Sequence, residues 1–142
     1  MRTVFADTAY WIAVFRPADP WAAVARGARE RLGRVRLLTV DEVLVEFLAG
    51  LSAGGPLVRS RAAMFARRLL DHPQVTVAPQ TREGLLTGLD LYERRRDKNY
   101  SLTDCIAMNT MRKTSVTEVL TSDRRFEQEG FRVLMRQRPG LH

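Results

Sequence analysis

Three aspartates sit where an α/β chain exposes its chemistry. Asp7 directly follows the short apolar run Thr3-Val4-Phe5-Ala6, and Asp123 follows Val119-Leu120-Thr121-Ser122. Asp104 stands in the first turn of a helix opened by Ser101-Leu102-Thr103-Asp104. Each position also has an ordinary structural use. Aspartate caps free helix amides, and an acid three residues after a serine completes a capping box. Asp104 carries a second signal. At about 100° per residue, Met108 and Met111 share its face with Ala107 beside it, so its carboxylate points along an apolar stripe. A charge placed there needs a partner, because an unpaired buried carboxylate is costly. A cation held by several carboxylates meets that need. Convergent carboxylates take up protons unless a divalent ion sits among them, and oxygen ligands without imidazole or thiolate select Mg2+ or Mn2+. Such an ion activates water and stabilises charge during phosphodiester hydrolysis. The reading requires acids that meet at one place, free of neutralising guanidinium groups.

Those acids need strands that end side by side. The chain alternates short apolar strands with helical stretches. Strands are predicted at Thr3 to Ala6, Val35 to Thr39, Val75 to Ala78, Val116 to Thr121 and Phe131 to Leu134. Helices are predicted at Thr8 to Phe15, from Asp19-Pro20-Trp21 to Leu32, and over Val40 to Leu51. Three more follow at Arg59 to Leu70, Thr81 to Arg96 and Ser101 to about Arg112. Gly33 suits a helix exit, while Ser52-Ala53-Gly54-Gly55-Pro56 and Arg138-Pro139-Gly140 punctuate the chain. The alternation predicts the α/β class, with a central, mostly parallel sheet covered on both faces. In such sheets ligands bind beyond the carboxyl ends of the strands, where all three aspartates fall.

Length and composition narrow the chemistry. At 142 residues, with 45% apolar and 27% charged side chains, the chain supports one globular domain over residues 1–142. One cysteine, Cys105, excludes an internal disulfide framework or a multi-cysteine metal site, and two histidines, His72 and His142, leave little for a zinc enzyme or a Ser-His-Asp hydrolase. No apolar run approaches a membrane span, and Met1-Arg2-Thr3-Val4-Phe5-Ala6-Asp7 lacks a signal-peptide core, so no membrane association and a cytoplasmic location are expected. The net charge is +7, and every cation except Lys98 and Lys113 is arginine. Arginine forks match phosphate oxygens, so the balance suits a polyanionic partner.

Four segments together resemble the PIN-domain nucleases, and among them the VapC-type ribonuclease toxins of bacterial toxin–antitoxin pairs. They are Phe5-Ala6-Asp7-Thr8-Ala9-Tyr10-Trp11, Val43-Leu44-Val45-Glu46-Phe47-Leu48, Tyr100-Ser101-Leu102-Thr103-Asp104-Cys105, and the run from Leu120-Thr121-Ser122-Asp123 to Phe131. The resemblance implies a PIN-like three-layer α/β/α fold and a quartet of Asp7, Glu46, Asp104 and Asp123 around Mg2+ or Mn2+. Asp7 and Asp104 would be direct ligands. Glu46 and Asp123 would act directly or through metal-bound water, one carboxylate helping to deprotonate the attacking water. Thr8, Thr121 and Ser122 would hydrogen-bond the carboxylates, and Asp97 is an accessory acid. Only the resemblance brings in Glu46, which periodicity places about 130° from the centre of its helix's apolar stripe. Ala9 departs from the pattern, since relatives often carry serine there.

The same resemblance implies an endoribonuclease toxin, a homodimer, and a cognate antitoxin. That antitoxin would lay a helix or tail over apolar grooves near Val40 to Leu70 and push a basic side chain towards the acids. Arg94, Arg95, Arg96 and Lys98 are candidates for RNA phosphates. Trp11 and Trp21 suit core or dimer packing, Cys105 a small buried hydrophobe, and His72 the surface. Two rivals follow from the residues themselves. One is a non-catalytic RNA-binding module of the same fold with the aspartates as helix caps. The other, a nucleotide-binding α/β protein, lacks a glycine-rich phosphate loop after a strand.

Overall fold

The computed structural model describes residues 1–137; the Arg138-Pro139-Gly140 punctuation and His142 lie outside them. Five strands form one sheet: β1 (Arg2–Ala6), β2 (Val35–Val40), β3 (Val75–Ala78), β4 (Glu118–Leu120) and β5 (Arg132–Val133). Their order is β3-β2-β1-β4-β5, and every pairing is parallel. Six helices connect and cover them: α1 (Thr8–Phe15), α2 (Ala22–Leu32), α3 (Asp41–Leu51), α4 (Pro56–Asp71), α5 (Arg82–Arg94) and α6 (Leu102–Lys113). The architecture is the expected three-layer α/β/α arrangement, and the sheet is wholly parallel.

Burial explains why the strands read as unbroken apolar runs. Val4, Phe5 and Ala6 of β1 are fully buried, as are Val119 and Leu120 of β4, because helices cover both faces. Phe47 anchors one helical layer, stacked on Phe65 at 5.3 Å between centroids and edge-on to Phe15 at 5.6 Å. Trp11 is buried, its indole N–H donating to the Ala6 carbonyl at 3.2 Å, and Cys105 is fully buried; both are core residues. His72 is exposed, its Nδ1 accepting the Gln74 amide.

Three helix boundaries differ from expectation. α2 starts at Ala22, because Asp19 spends its carboxylate on the Trp21 amide at 2.8 Å and closes a turn before the helix. α4 starts three residues early, at Pro56, whose fixed φ and missing N–H suit the first helical position. α5 stops at Arg94, where the backbone of Arg95 leaves helical geometry at φ −108°, ψ 35°. Gly33 ends α2 at φ 65°, as its punctuation implied. Among the described residues no helix is long and apolar enough to cross a membrane.

The order of the strands decides where chemistry is possible. From β1 the chain steps outward through β2 and β3, then returns to lay β4 and β5 on the other side of β1. β1 and β4 therefore flank the point where the winding reverses, and a crevice opens beyond their carboxyl ends. α6 is held near this edge by close packing on α5. A Cβ added at Gly88 would lie 2.7 Å from Ile106 Cγ1 and 3.2 Å from Leu102 Cδ1. Gly88→Ala should therefore push α5 from α6 and cost about 1–3 kcal/mol in urea denaturation; an unchanged midpoint would show that the helix pair yields freely.

Candidate active site

Asp7 is the first residue past β1, and its amide donates to the Leu120 carbonyl at the end of β4 at 3.1 Å. That bond seats it in the crevice. The residue is only 5% exposed. Its Oδ2 accepts the Thr121 hydroxyl at 3.0 Å, while its Oδ1 is buried with no hydrogen-bond partner among the described residues. Burial pushes the carboxyl up, the Thr8 amide and Thr121 hydroxyl pull it down, and the charges of Asp104 and Glu46 push it up again. It comes to rest at about 7.

Thr121 does double duty. Its hydroxyl also accepts the Asp123 amide at 3.1 Å, which fixes the turn leaving β4. Asp123 then caps a 3-10 helix (Arg124–Glu129), accepting the Arg125 amide at 3.0 Å. Glu46, half-buried on α3, accepts the Thr8 hydroxyl at 2.5 Å. Periodicity placed Glu46 in solvent, but the start of α1 lies against α3 and supplies a partner from another element.

Asp104 fulfils its structural use in full. The Ser101 hydroxyl accepts the Asp104 amide at 3.0 Å, and Asp104 Oδ2 accepts the Ser101 amide at 2.9 Å. Its helix face is the apolar one, with Ala107, Met108 and Met111 fully buried beside it. Burial raises the carboxyl above its ordinary value, against the Ser101 amide and the Arg125 charge that pull it down.

The partner that Asp104 needs is a guanidinium. Arg125 Nη2 lies 3.2 Å from Asp104 Oδ2 and 2.7 Å from Asp123 Oδ2. Two of the four acids thus share one guanidinium within the chain, contrary to the expectation that they stand free. Among the described residues no group of three or more His, Cys, Asp or Glu side chains is arranged to hold a metal ion. The donor set still suits a hard cation. Asp7 offers an orphaned buried oxygen beside the charges of Asp104 and Glu46, and the acids near it bring only oxygen.

Other residues sort themselves. Thr8 and Thr121 bond the carboxylates as anticipated, whereas Ser122 makes no side-chain hydrogen bond among the described residues. Asp97 stays at the surface, 73% exposed and ion-paired with Lys98 at 3.8 Å, away from the quartet. Arg94, Arg96 and Lys98 are exposed, but Arg95 bonds Glu129 at 2.9 Å. Sequence reasoning missed Glu129. Its side chain is 4% exposed and is bonded by Arg95, Arg112 at 2.7 Å and the Tyr100 hydroxyl at 2.9 Å. Burial pushes its carboxyl up, and those three donors more than offset this, holding it at about 2. The cluster ties the segment before α6 to the 3-10 helix, and so Asp104 to Asp123.

A PIN domain family model matches residues 4–131. The chain belongs to the PIN domain family. No curated protein matches it by sequence. Among solved structures, this PIN domain is similar to VapC20 of Mycobacterium tuberculosis, a sarcin–ricin loop cleaving toxin. The TM-score is 0.80 at 23% identity, over 90% of this chain and 95% of that one. It is also similar to FitAcB from Neisseria gonorrhoeae, with a TM-score of 0.62 at 17% identity, over 92% of this chain and 96% of that chain. At these identities the likeness is one of fold, and that fold is PIN-like.

Proposed function

We propose that this PIN domain is an Mg2+- or Mn2+-dependent endoribonuclease acting as the toxin of a toxin–antitoxin pair. Asp7 carries the reading: a buried carboxylate at the switch point of a parallel sheet, one oxygen unpartnered, with Asp104 and Glu46 within electrostatic reach. Asp7 and Asp104 hold the ion, and Asp123 completes the set directly or through water. Bound there, the ion supplies a water of lowered pKa and a countercharge for the phosphodiester. Glu46, pinned through Oε1 by Thr8, keeps a second oxygen to accept the proton of the attacking water. Exposed Arg94, Arg96 and Lys98 lie on the approach to α6 and suit RNA phosphates. VapC20, of the same fold, is a sarcin–ricin loop cleaving toxin, which supports RNA as the substrate class; the same reading places the work in the cytoplasm. Val45 on α3 and Leu57 and Met64 on α4 are exposed apolar residues, which supports an antitoxin laid over these helices. A homodimer is part of the same reading.

A second reading is favoured by the Asp104 capping box and the Arg125 pairing: an RNA-binding module that does not cut. A panel of cellular RNAs incubated with wild type and Asp104→Asn separates the two. A nuclease cleaves as wild type, stops with Asp104→Asn or a chelator, and resumes with Mg2+ or Mn2+ but not Zn2+. RNA bound without cleavage, equally by both proteins and without metal, would establish the binding module instead.

A further inference from the structure

Arg125 sits two residues past Asp123 and turns its side chain back over the site. Its Nε lies 3.0 Å from each Asp123 oxygen, its Nη2 reaches both Asp123 and Asp104, and its Nη1 donates to the Asn99 carbonyl at 2.6 Å. One guanidinium thereby joins carboxylates brought by two separate elements, the turn after β4 and the first turn of α6. It also takes the Asp123 lone pairs that a cation would use and sets a positive charge beside Asp104. Asp104 Oδ2 accepts the Ser101 amide and meets the guanidinium as an ion pair at 3.2 Å.

We propose that Arg125 is an intramolecular latch that competes with the divalent ion for Asp104 and Asp123, so that metal loading requires its side chain to swing out. The inference rests on the reading of the quartet as a metal centre. Three observations support a latch over a fixed strut. The side chain is 33% exposed, so solvent lies within its reach. Asp123 keeps the Arg125 backbone amide at 3.0 Å and Asp104 keeps the Ser101 amide, so neither acid loses its position when the guanidinium leaves. Asp7 is bonded by Thr121 and not by Arg125, and its orphaned oxygen offers an incoming ion a first ligand while the latch is still closed. Exchange then replaces one cation by a doubly charged one among acids that carry more charge than a single guanidinium neutralises.

The test is Mn2+ binding to the whole chain at neutral pH without RNA, followed by calorimetry and by the electron paramagnetic resonance of free Mn2+. Arg125→Ala should bind Mn2+ about tenfold or more tightly than wild type, the scale expected when charge-assisted hydrogen bonds no longer have to be broken. Arg125→Lys keeps the charge but loses the fork and should fall between them. In the wild type, the NMR signal of the Arg125 Nε–H should move on Mg2+ addition and saturate with metal binding, which covers the case of a poorly folded variant. If Asp7→Asn weakens Mn2+ binding while Arg125→Ala binds no tighter than wild type, the metal centre stands and the latch is overturned. An Arg125 Nε–H signal unmoved at saturating Mg2+ also overturns it. If neither wild type nor Arg125→Ala binds Mn2+, the latch falls together with the metal reading.

Discussion

Asp7→Asn is expected to reduce RNA cleavage by at least about 10^3-fold while leaving the fold intact. The magnitude follows from what the carboxylate does. A ligand that helps hold a divalent ion contributes several kcal/mol of charge stabilisation in the transition state, and each ~1.4 kcal/mol is tenfold in rate. Its surroundings make the amide a clean replacement. Asp7 Oδ2 accepts from Thr121, a role an amide oxygen keeps, and the backbone bond from Asp7 to the Leu120 carbonyl does not involve the side chain. The exchange removes a charge without removing a support. Initial rates on one RNA with wild type and variant, alongside circular dichroism, check it. Near-wild-type cleavage by a folded Asp7→Asn would remove Asp7 from the machinery and the central argument with it.

Much of this site was legible before any coordinates. Asp7 and Asp123 declare themselves by following apolar strands, and Asp104 by lying on an apolar helix face behind a serine. In the structure they fall at the β1 and β4 ends and at the N-terminus of α6. What the sequence could not give is the strand order. Alternating strands and helices imply a parallel sheet, but nothing local says that β4 returns beside β1, and that return is what brings Thr121 within 3.0 Å of Asp7. Glu46 was invisible to periodicity for a related reason: its partner Thr8 belongs to another helix. Arg125 and Glu129 were passed over among the many charges of the region after Asp123. Each acts through a fold contact, Arg125 across to α6 and Glu129 across to Arg95 and Arg112. Arg95, grouped with Arg94 and Arg96 as a candidate for RNA, serves that contact instead.

The pH dependence of stability should expose Asp7 without any RNA present. An unfolded aspartate releases its proton near 3.8, whereas buried Asp7 holds its proton to about 7. Between those values the folded chain carries the extra proton, so this residue's contribution to stability falls as pH rises and is lost above about 7. The full loss is on the order of 4 kcal/mol, since each unit of difference is worth about 1.4 kcal/mol. In a chain of this size that corresponds to roughly 10 °C in Tm. Asp7→Asn has no proton to lose, so its melting curves should be flatter across this window and lie above wild type on the alkaline side. Mg2+ or Mn2+ should restore wild-type stability there by binding the ionised carboxylate, and should leave Asp7→Asn nearly unmoved. Thermal melts from acid to mildly alkaline pH, with and without metal, measure all three effects. Parallel wild-type and Asp7→Asn curves would mean that Asp7 ionises as easily folded as unfolded, and that the crevice stores no unmet demand for a cation. A variant stabilised at alkaline pH but inactive on RNA would show the opposite: the fold tolerates a costly buried charge at the end of β1 because hydrolysis requires it there.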